Sequence, residues 1–250
     1  MSDAWMPAVR YVRAAGDGGP LKGGAPRVVW GVIGADPRTV SARSAAQRLD
    51  QAGHPCHLVW NPLHGEIIQL IPVVRAARSL CGPLEPVSRY GHPRPGAIAD
   101  VNAEGRVCVQ VRVVAFAEEP FTNGPLARLQ EVLAWLDSWG VSRNWPAGRP
   151  EPFPESHLTV SSRRLWARGG HFGESQVPGV AAGGPGAIDI ERLTGWSAGH
   201  AASPTGSSGI GPGARRPAAL RAHRDSYDPD ALGDLLGDQV ARAASLTRVR

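Results

Sequence analysis

The sequence contains little lysine and little cysteine. Of its 250 residues 27 are basic, and Lys22 is the single lysine, so the other 26 are arginines. The three cysteines, Cys56, Cys81 and Cys108, are too few for a disulfide framework. No block of five or six basic residues occurs, and no basic stripe is interleaved with aromatic residues. The sequence therefore does not predict nucleic acid as a partner.

Long apolar runs are also missing. None approaches the roughly 20 residues that a membrane-spanning helix needs, and residues 1–19 lack the apolar core of a signal peptide. We therefore expect no membrane span and, by default, a cytoplasmic protein. An extracellular or cell-wall location would require a route without a signal peptide. The net charge of +5 and the pI near 9.7 favour an anionic partner.

The composition is typical of one soluble globular core, with 42% hydrophobic and 20% charged residues. Gly- and Pro-containing residues 1–25 suggest a flexible arm, and residues 26–193 suggest the folded domain. Residues 194–217, rich in Gly, Ser and Pro, suggest a linker. Residues 218–250 form a predicted helical tail, with an amphipathic helix over 230–245.

The periodicity of the folded part predicts alternating strands and helices. Strands are expected at 27–33 and 107–116, a hairpin at 56–60 and 67–71, and helices at 41–52, 124–140 and 163–168. In the 107–116 strand the odd-numbered valines point one way and should meet the core. This order predicts an α/β fold with a mixed central β-sheet flanked by helices.

Several motifs carry a family resemblance over residues 26–193. They are Val28-Val29-Trp30, His57-Leu58-Val59-Trp60-Asn61-Pro62, Gly65-Glu66-Ile67-Ile68-Gln69, Asn102-Ala103-Glu104-Gly105-Arg106-Val107-Cys108-Val109-Gln110, Leu133-Ala134-Trp135-Leu136-Asp137-Ser138-Trp139-Gly140, Gly170-His171-Phe172-Gly173, Ser175-Gln176-Val177-Pro178-Gly179 and Pro185-Gly186. Their order and spacing resemble the type 2 N-acetylmuramoyl-L-alanine amidases. That superfamily includes the peptidoglycan recognition proteins, and the chain resembles in particular a group found in actinobacteria and their phages.

The resemblance implies an amidase or peptidoglycan-recognition fold and, in the enzymes, a zinc site. Two histidines and a third ligand, commonly Asp or Cys, hold the metal and leave a position for water. The metal activates that water for attack on the amide between muramic acid and L-alanine. A strand glutamate assists as base, and a Lys or His near the third ligand stabilises the oxyanion.

All five of these positions are substituted here. The ligand positions fall on Gly31, Glu174 and Gly184, the strand glutamate falls on Arg112, and the oxyanion residue falls on Ala182. Glycine offers no ligand side chain, and Glu174 alone is not a site. We therefore predict a catalytically inactive protein with no metal or other cofactor, which binds peptidoglycan or muropeptide fragments.

The resemblance also suggests a substrate groove. Its expected residues are Trp30, His57, Trp60, Gln110, Arg112, His171 and Gln176. In this hypothesis Arg112 pairs with a carboxylate of the stem peptide.

Two alternatives remain open at this stage. An active zinc amidase could use rearranged ligands, with Glu174 joined by His171 or His57. A gene product with no selected ligand is a third hypothesis. Other metal and nucleophile patterns are weaker, because Cys56 and His57 point to opposite sides of a strand and no Gly-x-Ser-x-Gly elbow occurs.

Overall fold

The protein is built around one mixed β-sheet. The computed structural model describes residues 2–80, 100–159 and 161–196. The six strands lie in the order β1-β4-β3-β5-β2-β6. They are β1 (Arg10–Tyr11), β2 (Arg27–Val32), β3 (Leu58–Asn61), β4 (Glu66–Gln69), β5 (Cys108–Val113) and β6 (Gly170–Gly173).

The pairing of the strands agrees with the predicted fold class. β3 and β4 form the predicted antiparallel hairpin, and all other neighbouring strands are parallel. The helices are α1 (Ala42–Gln51), α2 (Leu129–Ser138), α3 (Arg163–Trp166) and α4 (Ile190–Thr194). The mixed α/β sheet flanked by helices is therefore confirmed.

The helices cover both faces of the sheet, and each face has its own apolar cluster. On the α2 face, the larger cluster contains Val109, Val111 and Val113 of β5 together with Val107, which directly precedes that strand. This confirms the predicted valine face. Alanines of α1 pack against the opposite face together with Val59 and Val114. The even-numbered side chains of β5, which include Gln110 and Arg112, point to that second side.

The N-terminal residues differ from the predicted flexible arm. β1 adds a parallel edge strand to β4, and Met6 is buried with its N–H donated to the Gln69 side chain, 2.6 Å away. The indole nitrogens of Trp135 and Trp139 both donate to the carbonyl of Asp3. Hydrogen bonds hold this segment against the rest of the fold. The hydrophobic pattern of the sequence therefore did not predict that it would be ordered.

Two further elements were not predicted. β6 is short and contains two glycines, and α4 has only five residues, so neither has enough residues for a clear periodicity. Nearly all of the predicted 194–217 linker and the whole predicted 230–245 helix lie outside the described residues. None of the helices in the described part is long and apolar enough to cross a bilayer.

Candidate functional site

A buried ion pair lies at the centre of the positions that the family resemblance singled out. Arg112 on β5 donates from both terminal guanidinium nitrogens to the two carboxylate oxygens of Glu174, and the Nη2–Oε1 distance is 2.5 Å. Their side chains are only 11% and 9% exposed. The pair is bidentate, which is the geometry in which guanidinium and carboxylate groups fit best.

Gly31 makes room for this pair. β2 and β5 are parallel neighbours, and Gly31 is the register partner of Arg112. A Cβ atom at position 31 would overlap Nη1 of Arg112 and lie 2.7 Å from Oε2 of Glu174. Any side chain there would displace the ion pair, so the glycine, the arginine and the glutamate form one mutually dependent group.

A hydrogen-bond network extends from the ion pair to other segments of the same polypeptide. Nη2 of Arg112 also donates to the carbonyl of Ser79. Ser79 is held in turn by Gln110, whose Oε1 accepts from the Ser79 N–H at 3.0 Å and from its hydroxyl at 2.7 Å. Nε2 of Gln110 donates to Asn102 at 2.9 Å. Gln110 therefore positions the carbonyl of Ser79, which accepts from Arg112. No motif in the sequence had indicated this role of Ser79.

The third family ligand position also lies close to this group. The carbonyl of Gly184 accepts from the N–H of Ser175, next to Glu174, at 2.9 Å. A Cβ at Gly184 would lie 2.9 Å from Cγ2 of Val32, at the end of β2. Ala182 is half-buried two residues earlier. The structure therefore brings Gly31, Arg112, Glu174 and Gly184 together at one point of the fold.

The residues at this point do not fit a zinc ion. Two of the three family ligand positions are glycines, and both oxygens of Glu174 already accept from Arg112. The fixed guanidinium charge would repel a second cation a few ångströms away. Among residues 2–80, 100–159 and 161–196 there is no group of three or more His, Cys, Asp or Glu side chains arranged to hold a metal.

His57 is engaged in the sheet. Its Nδ1 accepts from the backbone N–H of Gln110 at 3.0 Å, and its Nε2 lies 2.9 Å from the carbonyl of Arg75. The ring is fully buried, and this burial lowers its pKa to about 4. The neighbouring Cys56 donates to a backbone carbonyl, and burial raises the pKa of its thiol to about 12. The structure thus places His57 as a buried packing residue that joins β3 to β5.

His171 lies on the other side of the sheet from Glu174 and Arg112. Its ring packs against the rings of Trp30 and Trp145 on the α2 side of the sheet. The side chain of its neighbour Phe172 joins the apolar cluster on the opposite side. Its Nδ1 accepts from Nε1 of Trp30 at 3.1 Å. Burial, with a smaller contribution from the charge of Arg143, lowers the pKa of the imidazole to about 3. The structure therefore does not bring His171 and Glu174 together as ligands.

The remaining predicted groove residues are buried in the structure. Trp30 and Trp60 are fully buried in the α2-side core and contact each other edge to face. Gln176 accepts from the N–H of Gly173 at 2.9 Å and donates to the carbonyl of Gly148 at 3.0 Å. These side chains hold the fold around the site and present little surface to a ligand.

An open pocket lies at the carboxyl ends of β2, β3 and β5, and none of Gly31, Arg112, Glu174 and Gly184 lines it. Its volume is about 570 Å³, which is within the usual range for small-molecule sites. Its lining includes Asp36 after β2, Pro62 after β3, and Phe116, Glu118 and Glu119 after β5. The sequence analysis did not predict this pocket. The signal that could have indicated it is a polar or acidic residue next to proline after each of three strands, because ligands of open α/β sheets bind at carboxyl strand ends.

Comparison with solved structures yields a weak likeness in fold. No protein family model matches the chain, and no curated protein matches it. Among solved structures, the crystal structure of a selenomethionine derivative of AmpD is similar, with a TM-score of 0.41 and 13% sequence identity. The match covers 78% of this chain and 97% of that chain. At this level the likeness carries no argument about ligand or activity.

Proposed function

We propose that this chain is a catalytically inactive amidase-like protein that binds peptidoglycan fragments without zinc. The observation that carries the proposal is the buried Arg112–Glu174 ion pair, which lies against Gly31 where the resemblance expects a metal. The peptidoglycan part of the proposal comes from the sequence motifs, and the net charge of +5 suits an anionic cell-wall polymer.

The electrostatics of the group favour inactivity. A zinc site needs ligand lone pairs that are free to face the metal and a vacant position for water. Here the carboxylate of Glu174 is neutralised within the chain, and Gly31 and Gly184 contribute no side chain. In place of a metal and its activated water, the site holds an internal cation and its own counter-ion.

The same geometry changes the expected role of Arg112. The sequence hypothesis paired Arg112 with a carboxylate of the stem peptide. In the structure Glu174 supplies that carboxylate from within the chain, and a ligand would have to displace it from a buried site. We therefore propose that Arg112 and Glu174 hold the floor of the groove and that the ligand binds on the surface around it.

The test combines metal content, activity and binding. The full chain is dialysed after exposure to zinc, its metal content is measured by mass spectrometry, and hydrolysis of a soluble muropeptide is followed by chromatography. Calorimetry with the same muropeptide measures affinity. We expect no retained zinc, no cleavage, and measurable binding. About one zinc per chain together with cleavage would establish the active alternative, whereas absence of binding would reject the peptidoglycan assignment.

A rebuilt site is the matched control. The combined variant Gly31→His, Arg112→Glu, Glu174→His and Gly184→Asp removes the ion pair. It supplies two histidines and an aspartate as ligands and a glutamate at the position of the strand base. If the family positions are assigned correctly, this variant should retain about one zinc per chain where the unmodified chain retains none. A far-ultraviolet spectrum like that of the parent shows that the variant has folded. A folded variant without zinc would contradict the assignment of these positions.

A further inference from the structure

The outer edge of β1 presents backbone groups that point away from the sheet. β1 is the last strand in the sheet order, and β4 is its only neighbour among the residues that the structure describes. The N–H of Val12 donates to the carbonyl of Gln69 at 3.0 Å, and the N–H of Ala14 donates to the next carbonyl along, at 3.1 Å. Successive residues of an extended chain point their backbone groups to alternate sides. The N–H and C=O groups of Tyr11 and Arg13 therefore point towards the outer edge.

This edge is held in place at both ends of the extended segment. At its start, Nη2 of Arg128 donates to the carbonyl of Ala8 at 3.1 Å. At its end, the N–H of Ala15 donates to Oδ1 of Asp50 at 3.0 Å. Between them, Val12 packs against the apolar cluster on the α1 side of the sheet. Because the strand is already ordered, pairing with a further strand costs little additional conformational entropy on its side.

The side chains at this edge carry positive charge on both faces of the sheet. Arg10 and Arg13 are both exposed. Arg10 lies on the same side as Val12, which is the α1 side, and Arg13 lies on the opposite side. Arg48 is exposed in the last turn of α1, two residues before Asp50, whose carboxylate binds the end of this segment. With three arginines and one aspartate, the formal charge at the edge is three minus one, or +2.

An exposed aromatic side chain lies at the same edge. Tyr11 is 63% exposed, and its ring centre lies 5.3 Å from that of Trp5. Aromatic and β-branched side chains form favourable pairs across neighbouring strands, whereas like charges placed opposite each other are unfavourable. A second copy of this edge would bring the Arg10 and Arg13 side chains of both copies into one short ribbon. The charges therefore favour an acidic strand over a second copy of the chain.

We propose that the outer edge of β1 binds an extended, acidic segment of a partner protein, which adds a further strand to the sheet. The backbone of that segment pairs with the outward groups of Tyr11 and Arg13. Its carboxylates lie on both faces, opposite Arg10 and Arg13, and a β-branched residue packs on Tyr11. The inference is separate from the proposed function, because β4 and β3 lie between this edge and β5, which carries Arg112.

The test uses a short acidic peptide and amide hydrogen exchange. The probe is the capped peptide Gly-Thr-Glu-Glu-Val-Glu-Glu-Thr-Gly, which carries glutamate on both faces of a strand, and it is titrated into the isotope-labelled full chain. With the peptide in large excess, exchange of the Tyr11 and Arg13 amides should slow about tenfold. The amides of Val12 and Ala14 should change little, because they already donate to the β4 segment. The same peptide with lysine in place of glutamate should not bind.

Two variants at one position separate the backbone contribution from the charge. Arg13→Pro removes the outward N–H and leaves the bonds to β4, and proline is tolerated on an edge strand where its nitrogen faces outward. This variant should keep the urea midpoint of the parent and lose peptide binding. Arg13→Gln keeps the N–H and should weaken binding only about threefold. The matched control is the double variant Arg164→Gln and Arg168→Gln, which removes exposed charge beside β6, at the other end of the sheet, and it should bind like the parent.

Three results would overturn the inference. Absence of peptide binding would mean that the arginines serve only to keep this edge from pairing. Equal affinity for the acidic and the lysine peptide, or unchanged binding in Arg13→Pro, would show that the edge is not the binding surface. A dimer in sedimentation that Arg13→Pro abolishes would assign the edge to a second copy of the chain. Slower exchange confined to Tyr11 and Arg13, together with loss of binding in Arg13→Pro, would support the inference.

Discussion

Removing one partner of the buried ion pair should destabilise the fold strongly. Glu174→Gln keeps the shape of the side chain and one acceptor, but it removes the carboxylate charge that pairs with the guanidinium of Arg112. Both side chains are about one-tenth exposed, so water cannot replace the lost charge. Loss of one partner of such a pair costs about 3–5 kcal/mol. Because the introduced amide can still accept one hydrogen bond, we expect a value near the lower end, about 3 kcal/mol.

Urea unfolding at pH 7 measures this effect against a matched surface pair. Arg143 and Asp137 also form a bidentate pair, but their side chains are 41% and 40% exposed. Asp137→Asn should therefore cost less than about 1 kcal/mol. The double replacement Arg112→Met and Glu174→Met removes both charges, and it should cost less than Glu174→Gln alone, because the guanidinium does not stay buried after its Glu174 carboxylate is lost.

The refuting result is a simple one. If Glu174→Gln costs no more than Asp137→Asn, the pair is not buried in solution as the structure describes. The site would then be open to water and to cations, and burial of the ion pair would no longer exclude a metal ion.

Two further predictions concern the same core. Gly31→Ala should destabilise the chain by about 2 kcal/mol, because its Cβ would enter the space of the ion pair. In the control Gly16→Ala the Cβ meets no atom within 4 Å, so the urea midpoint should change little. Equal urea midpoints for the two variants would contradict the close packing at Gly31. The pKa of His57 is about 4 and that of His171 about 3, both below the unfolded value near 6.5. The unfolded chain therefore binds more protons below pH 6.5, and stability should fall by about 2 kcal/mol per histidine between pH 7 and pH 5. His171→Gln should remove about half of that fall in urea titrations at the two pH values, and an unchanged slope would show that His171 is not buried in its neutral form.

The sequence predicted the parts of the fold that depend on hydrophobic periodicity. The alternating valines of β5 and the alanines of α1 repeat often enough to define a face. β1 and β6 could not be predicted in this way. β1 consists of two exposed residues and β6 of two residues flanked by glycines, and neither is long enough to show a periodicity. They join the sheet through backbone hydrogen bonds to β4 and β2, which depend on the finished tertiary structure.

The candidate site could be predicted in its positions but not in its contacts. The motif spacing selected Gly31, Arg112, Glu174 and Gly184, and the structure brings them together. It could not reveal that Arg112 and Glu174 satisfy each other, because the two residues are 62 positions apart. The tryptophans at 30 and 60 were predicted to line the groove, yet they fill the core, since aromatic residues on central strands bury a large apolar area.

The interlocking of Gly31, Arg112 and Glu174 has an evolutionary consequence. Histidine at position 31 would collide with the guanidinium, and glutamate at 112 would face the buried carboxylate of Glu174. Histidine at 174 would remove the carboxylate that pairs with Arg112. Each step toward a metal-binding set is therefore unfavourable while the other two residues stay as they are. The three positions are epistatic, and a lineage that carries this triplet can reach a metal site only by changing several residues together.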